Sequence, residues 1–160
     1  MFRATTALAL LQVILCLLPG CGANPDAELE RARGYLEEGD YPSAAEAASR
    51  GLAAGAEGAT TWRLELAALE GEARDGRTDA VLARIDRLAG SWADQVTGSL
   101  YVQTAGQLKE GGDAAGAIGV LDAGARRFPD DADIARAISQ AKATGSDEEI
   151  ERLRSLGYVE

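Results

Sequence analysis

The side chains that usually carry chemistry are few in this sequence, and they are spaced for other work. There is no histidine, so no imidazole is present as a base, nucleophile or metal ligand. The two cysteines are Cys16 and Cys21. Cys16 lies in an apolar leader, so its removal leaves at most one thiol and no intramolecular disulfide, and the fold must hold by packing alone. The carboxylates are spread along helical patterns with basic neighbours three or four residues on, as in Glu30 and Arg33. That is the spacing of a solvated helix face, not of a paired acid and base. Asp130, Asp131 and Asp133 form a small acidic cluster, but no glycine-spaced calcium loop follows, and acids are favoured in a first helical turn by the helix dipole. The run Gly111-Gly112-Asp113-Ala114-Ala115-Gly116 lacks the Lys-Ser/Thr of a phosphate loop. The expectation is a protein with no catalytic residues, no metal site and no cofactor.

The leader makes Cys21 important for another reason. Arg3 precedes a twelve-residue apolar stretch, Ala7 to Leu18, interrupted only by Gln12. A helix of that length falls short of the roughly 20 residues needed to cross a bilayer and fits the core of a signal peptide. The stretch ends in Leu18-Pro19-Gly20-Cys21. This resembles the lipobox of bacterial lipoproteins, with Pro19 standing where Ala, Ser or Thr is usual. The resemblance implies a signal peptide over residues 1–20, cleavage before Cys21 and a lipid on its thiol. The chain would then be tied to the membrane, with residues 21–26 as a short tether. Gly22 follows the cysteine instead of Asp, which implies the outer membrane, facing the periplasm, in a host with two membranes. Two other outcomes stay open: cleavage after Ala23, which would release a soluble exported protein, and retention of the leader as a crude anchor.

Beyond the leader the pattern is helical throughout. Ala, Leu, Glu and Arg recur at helical spacing from Ala27 to Leu156, and no alternating run of Val, Ile and Thr suggests a strand. The fold class read from this is all-α, one domain over residues 27–156 with a tail at 157–160. Without residues 1–20 the chain has 15 basic and 26 acidic residues, a net charge of −11. Such a surface repels nucleic acid and anionic lipid head groups, so neither is an expected ligand.

Four turn signals punctuate the helices, at Gly39-Asp40, Gly76-Arg77, Gly112-Asp113 and Gly145-Ser146, with their glycines 37, 36 and 33 residues apart. Around the third, Tyr101, Thr104, Ala105 and Leu108 precede the turn, and Ala117, Leu121 and Pro129 follow it. Around the first, Ala32, Tyr35, Tyr41 and Ala44 take the same spacings, Leu52 closes the second helix, and Arg31 falls on a normally apolar position. These patterns resemble the tetratricopeptide repeat, a helix–turn–helix unit of about 34 residues. The resemblance implies a solenoid of three to four repeats; a bundle of similar antiparallel hairpins is the alternative. In the second unit Leu64, Ala67 and Ala68 fit the first helix, but Val81, Ile85 and Leu88 are offset by one, which predicts an extra residue in the turn around Arg74 to Arg77. Asp130 to Ala143 begins a fourth unit. Ser146 and Glu149 form a capping-box pattern that starts a final helix, Asp147 to Ser155. Trp62 and Trp92, each after a candidate N-cap (Thr61 and Ser91), are expected to start first helices and pack on the preceding repeat. Gly116, Gly119 and Gly124 each weaken a helix by roughly 0.8–1 kcal/mol relative to Ala, which predicts close helix packing there.

Tetratricopeptide proteins hold partner segments in a groove lined by the first helix of each pair. Carried across, this implies Leu29, Arg33 and Leu36 from the first unit, Arg63, Leu66 and Arg74 from the second, and Val102, Gly106 and Lys109 from the third. Such a groove is apolar with basic points, suited to a protein segment that carries acids, and implies no small-molecule substrate. The ending Glu149 to Val159 also resembles the closing segment of many bacterial sulfatases, without their nucleophile motif. The leading expectation is a membrane-anchored protein–protein interaction scaffold of the cell envelope. An accessory subunit of an envelope hydrolase and a soluble exported helical binding protein are the alternatives.

Overall fold

The computed structural model describes residues 24–160, and the lipidation candidate Cys21 and the leader lie outside them. Among the described residues there are eight α-helices and no strand: α1 (Pro25–Glu38), α2 (Tyr41–Ala53), α3 (Gly58–Arg74), α4 (Thr78–Ser91), α5 (Gly98–Glu110), α6 (Ala114–Arg127), α7 (Ala132–Thr144) and α8 (Asp147–Ser155). The fold is all-α, as the spacing of Ala, Leu, Glu and Arg predicts.

The helix ends follow from local chemistry. Gly39, Gly76 and Gly112 all sit at positive φ (77°, 69° and 91°), the left-handed conformation that glycine adopts without strain. Each closes the same pair of backbone bonds. The glycine N–H donates three residues back, to Leu36, Ala73 and Lys109, and the next N–H donates five back, to Tyr35, Glu72 and Leu108. Asp40 and Asp113 then cap the following helices by accepting from the N–H of Ser43 and Gly116. Asp131 caps α7 in the same way, accepting from Asp133 and Ile134, which gives the acidic cluster a structural role. The Ser146–Glu149 capping box is present, and α8 spans Asp147–Ser155 as the sequence predicts.

The identical turns overturn one expectation. No residue is inserted around Arg74 to Arg77, and the second unit is in register with the others. The apparent offset arises because charged residues fill positions that are apolar in the third unit. Counted from the turn glycine, Glu65, Glu72 and Arg84 occupy the places taken in the third unit by Tyr101, Leu108 and Val120. A reading that follows apolar residues slips by one when three of them are replaced by ions. These three form one cluster. The Arg84 guanidinium donates twice to Glu72, at 2.8 Å each, and also to Glu65. Arg84 is 5% exposed and Glu72 6%. The first unit repeats part of the device: Glu28 is buried and pairs with Arg50 at 3.1 Å, as Glu65 meets Arg87 at 3.9 Å at the same repeat positions.

α1, α3, α5 and α7 lie side by side in that order, with α2 against both α1 and α3, and α6 against α5, α7 and α8. Small residues let α2 and α3 approach closely. A Cβ at Gly71 would fall 2.8 Å from the backbone oxygen of Tyr41, and one at Gly51 2.8 Å from the Leu64 side chain. Gly116 and Gly124 are tight in the same sense, against Thr78 and Tyr101, whereas a methyl at Gly119 would make only ordinary contact with Arg152. Close packing thus accounts for two of the three α6 glycines.

The buried apolar residues form two clusters. One joins α1, α2 and α3 through Leu29, Leu64 and five alanines; the other runs from Leu69 in α3 to Leu153 in α8 and contains the larger side chains. Both tryptophans pack on the second cluster, with ring centroids 5.8 Å apart. Their positions differ from expectation. α3 begins at Gly58 with Glu57 at its N-cap, so Trp62 lies inside the helix, and Trp92 is the C-cap of α4 instead of the start of α5.

The segment that resembles a sulfatase ending is part of this packing. Leu153 is fully buried, and the Tyr158 hydroxyl donates to Asp122 at 3.1 Å. Buried Glu149 accepts from Lys109 at 2.7 and 2.9 Å and from the Ser146 N–H at 2.8 Å. Burial, the largest influence, pushes the Glu149 carboxyl up, but these bonds together outweigh it and hold it below the 4.5 of an ordinary glutamate. A depressed carboxyl contributes stability above its unfolded value that is lost as pH falls through the folded one. Hydrogen exchange should therefore show α8 amides losing protection on acidification below about pH 4.5, ahead of α3. Glu149→Gln should remove the acid step; an unchanged step in that variant refutes the assignment.

Candidate functional site

A cleft of about 400 Å³ opens between α1, α3, α5 and the 92–97 connection. Each wall follows from a helix face. α1 contributes Arg33 and Leu36; α3 contributes Trp62, Arg63 and Leu66; α5 contributes Leu100, Gln103 and Gln107. Apart from the adjacent Trp62 and Arg63, neighbours within each helix are three or four apart, the spacing that puts side chains on one stripe.

Four of the nine predicted groove residues meet here: Arg33, Leu36, Arg63 and Leu66. The other five do not. Leu29 is 4% exposed and belongs to the α1–α2–α3 core, because α1 needs an apolar anchor against its neighbours. Arg74 sits at the turn edge, bonded to Glu70 at 3.0 Å and Glu110 at 2.7 Å, with its guanidinium over the Tyr41 ring. Val102 packs on the larger core. Gly106 is exposed, and Lys109 is spent on Glu149. The stripe of α5 that meets the cleft is the one facing α3, carrying Leu100, Gln103 and Gln107. A sequence reading that takes equivalent positions from each unit misses it. Their spacing of three and four residues was visible, but nothing local says which of two exposed stripes looks inward.

The electrostatics differ from those of the whole domain. Arg63 is exposed and makes no ion pair among the described residues, and Arg33 has only the exposed Glu30, at 2.8 Å. Glu70, the one acid on the lining, is already paired with Arg74. The cleft therefore combines half-buried leucines and a tryptophan with two guanidinium groups and several amides and hydroxyls. It holds no nucleophile–base pair, and no group of three or more potential metal ligands occurs among the described residues. No described helix is long and apolar enough to cross a membrane. Comparison with known proteins finds no matching family model, curated protein or solved structure.

Proposed function

We propose that the chain is a protein-binding module of the bacterial cell envelope, a tetratricopeptide-like stack tied to the membrane by a lipid on Cys21. The observation that carries this reading is the cleft itself. Leu36, Leu66 and Leu100 stay partly exposed beside Arg33 and Arg63 in a domain that is otherwise strongly acidic. Apolar anchors with a few charged points are what a protein partner needs. The equal turns and the side-by-side order of α1, α3, α5 and α7 support the repeat reading, and the Leu-Pro-Gly-Cys leader end supports the anchor.

A photoreactive amino acid placed in cells at Leu66, inside the cleft, is expected to give a discrete protein adduct. The same group at the exposed Ala83 of α4 should not. Leu36→Glu should abolish the Leu66 adduct, because it puts a charge on the apolar floor, and Cys21→Ser should move the protein from the membrane to the soluble fraction. Equal adducts at both positions would refute the binding site, and unchanged membrane association would refute the anchor.

A further inference from the structure

The contacts between units sort the domain into two ends. At one, the Thr60 hydroxyl donates to Asp26 at 3.1 Å and joins the starts of α3 and α1. Trp62 and Trp92 stack there, Arg127 donates to the Ala89 carbonyl at 3.2 Å, and Gly98 lies against the Asp131 carboxylate. All of these residues stand near the start of a first helix, near the end of a second one, or in a loop between units. At the other end Arg74 bonds Glu110 at 2.7 Å and covers the Tyr41 ring, and Thr78 donates to Asp113 at 2.6 Å, beside the hairpin turns at Gly39, Gly76 and Gly112. Helices such as α5 and α6, at 1.5 Å per residue, set the two ends about 20 Å apart. Asn24, the N-cap of α1, belongs to the loop end.

We infer that the loop end rests on the surface of a zwitterionic bilayer, held there by the short chain from the lipid on Cys21, and that the hairpin turns point away from it. This rests on the lipid anchor proposed above. The three residues from Cys21 to Asn24 reach at most about 10–11 Å, at 3.3–3.6 Å each, or half the length of the domain's helices. α1 does not lengthen the tether by peeling away, because Glu28 and Leu29 are buried and Asp26 is bonded to Thr60. A domain tied this closely lies either on its loop end or on the outer side of α1 and α2. The exposed side chains of α1 and α2 include Arg31, Glu38 and Glu46, which gain nothing at an interface. The loop end offers Trp92 and Phe128 instead. They occupy equivalent repeat positions, cap the C-termini of α4 and α6, and are only partly buried. Tryptophan in particular is favoured at head-group level. The exposed carboxylates at this end, Asp26, Glu57, Asp94 and Asp130, decide the kind of lipid. Anionic head groups repel them over a Debye length of about 8 Å at physiological salt, a distance comparable to the tether. Zwitterionic head groups do not. With the loop end against the bilayer, a partner reaches the domain from the side or from the hairpin turns.

The test uses the lipidated protein, purified from membranes and reconstituted on phosphatidylcholine vesicles that carry an energy-transfer acceptor in the head groups. Flotation comes first. Wild type should float with the vesicles and Cys21→Ser should not; a wild type left behind would overturn the anchor, and this inference with it. Asp94→Cys and Asp75→Cys, both at exposed positions, then take a fluorophore at the loop end and at the turn end. Asp94→Cys should lie nearer the acceptor plane by about 20 Å, the length of one helix. Replacing part of the phosphatidylcholine with phosphatidylglycerol should lift the Asp94→Cys label away, and added salt should bring it back. Ten Gly/Ser residues inserted between Ala23 and Asn24 span about 16–19 Å on average, at 5–6 Å × √n, and should make the two distances converge. Equal distances in a floating wild type would overturn the orientation while leaving the anchor intact, as would a nearer Asp75→Cys label. A difference that survives the insertion would overturn the tether as its cause.

Discussion

Arg84→Met should destabilise the domain by about 3–5 kcal/mol, measured by urea unfolding with tryptophan fluorescence, because it strands buried Glu72, and part-buried Glu65 beside it, without their shared cation. Arg87, at 3.9 Å from Glu65, is too exposed and too distant to replace it. The cluster nonetheless need not be a net source of stability. Taking three charges out of water costs about as much as their attraction returns. The third unit shows what the same three positions hold when they are apolar: Tyr101, Leu108 and Val120, all buried. The triple replacement Glu65→Tyr, Glu72→Leu, Arg84→Val should therefore be neutral or stabilising, although each change alone is harmful. A loss under 1 kcal/mol for Arg84→Met would mean that the Glu72 carboxylate reaches water and that Arg84 is not its essential partner.

The second large effect is at the other end. Leu153→Ala should cost about 2–5 kcal/mol, because the side chain is fully buried against α6 and α7 and leaves a void that packed helices do not close. Deleting residues 153–160 should cost at least as much, since Leu156, Tyr158 and Val159 pack on the same core. This bears on the resemblance to sulfatase endings. If that segment docked to an enzyme while leaving the domain intact, its removal would be silent in urea unfolding. The packing predicts a clear fall in the midpoint instead. A docking role is better tested at Glu151 and Arg154, which are exposed and can be exchanged without touching the core. An unchanged midpoint on truncation would show that α8 contributes nothing to the fold.

The two variants also probe how the core is divided. The α1–α2–α3 cluster is built mainly from alanine, which buries little area, whereas the other contains Ile, Leu, Val and Tyr. Hydrophobic stabilisation follows apolar area removed from water, so the second cluster dominates the total. Arg84 lies on α4 and pairs with Glu65 and Glu72 of α3.

How far these features were legible in the sequence depends on the range of the interaction behind them. Helical content, three glycine turns, the aspartate caps and the Ser146–Glu149 box are set by residues within five positions of one another, and the sequence determined them directly. The acidic net charge follows from the sum of the residues, which needs no coordinates. The register of the second unit could not be read in this way. A buried Glu72 is affordable only because Arg84, twelve residues away on another helix, pairs with it, and no local pattern announces such a pair. The same holds for the cleft. Leu29 and Leu36 lie on one helix at helical spacing, yet the first is core and the second is lining. The difference is made by the neighbours that α2, α3 and α5 place against them, because burial is a property of what surrounds a side chain and not of the side chain itself.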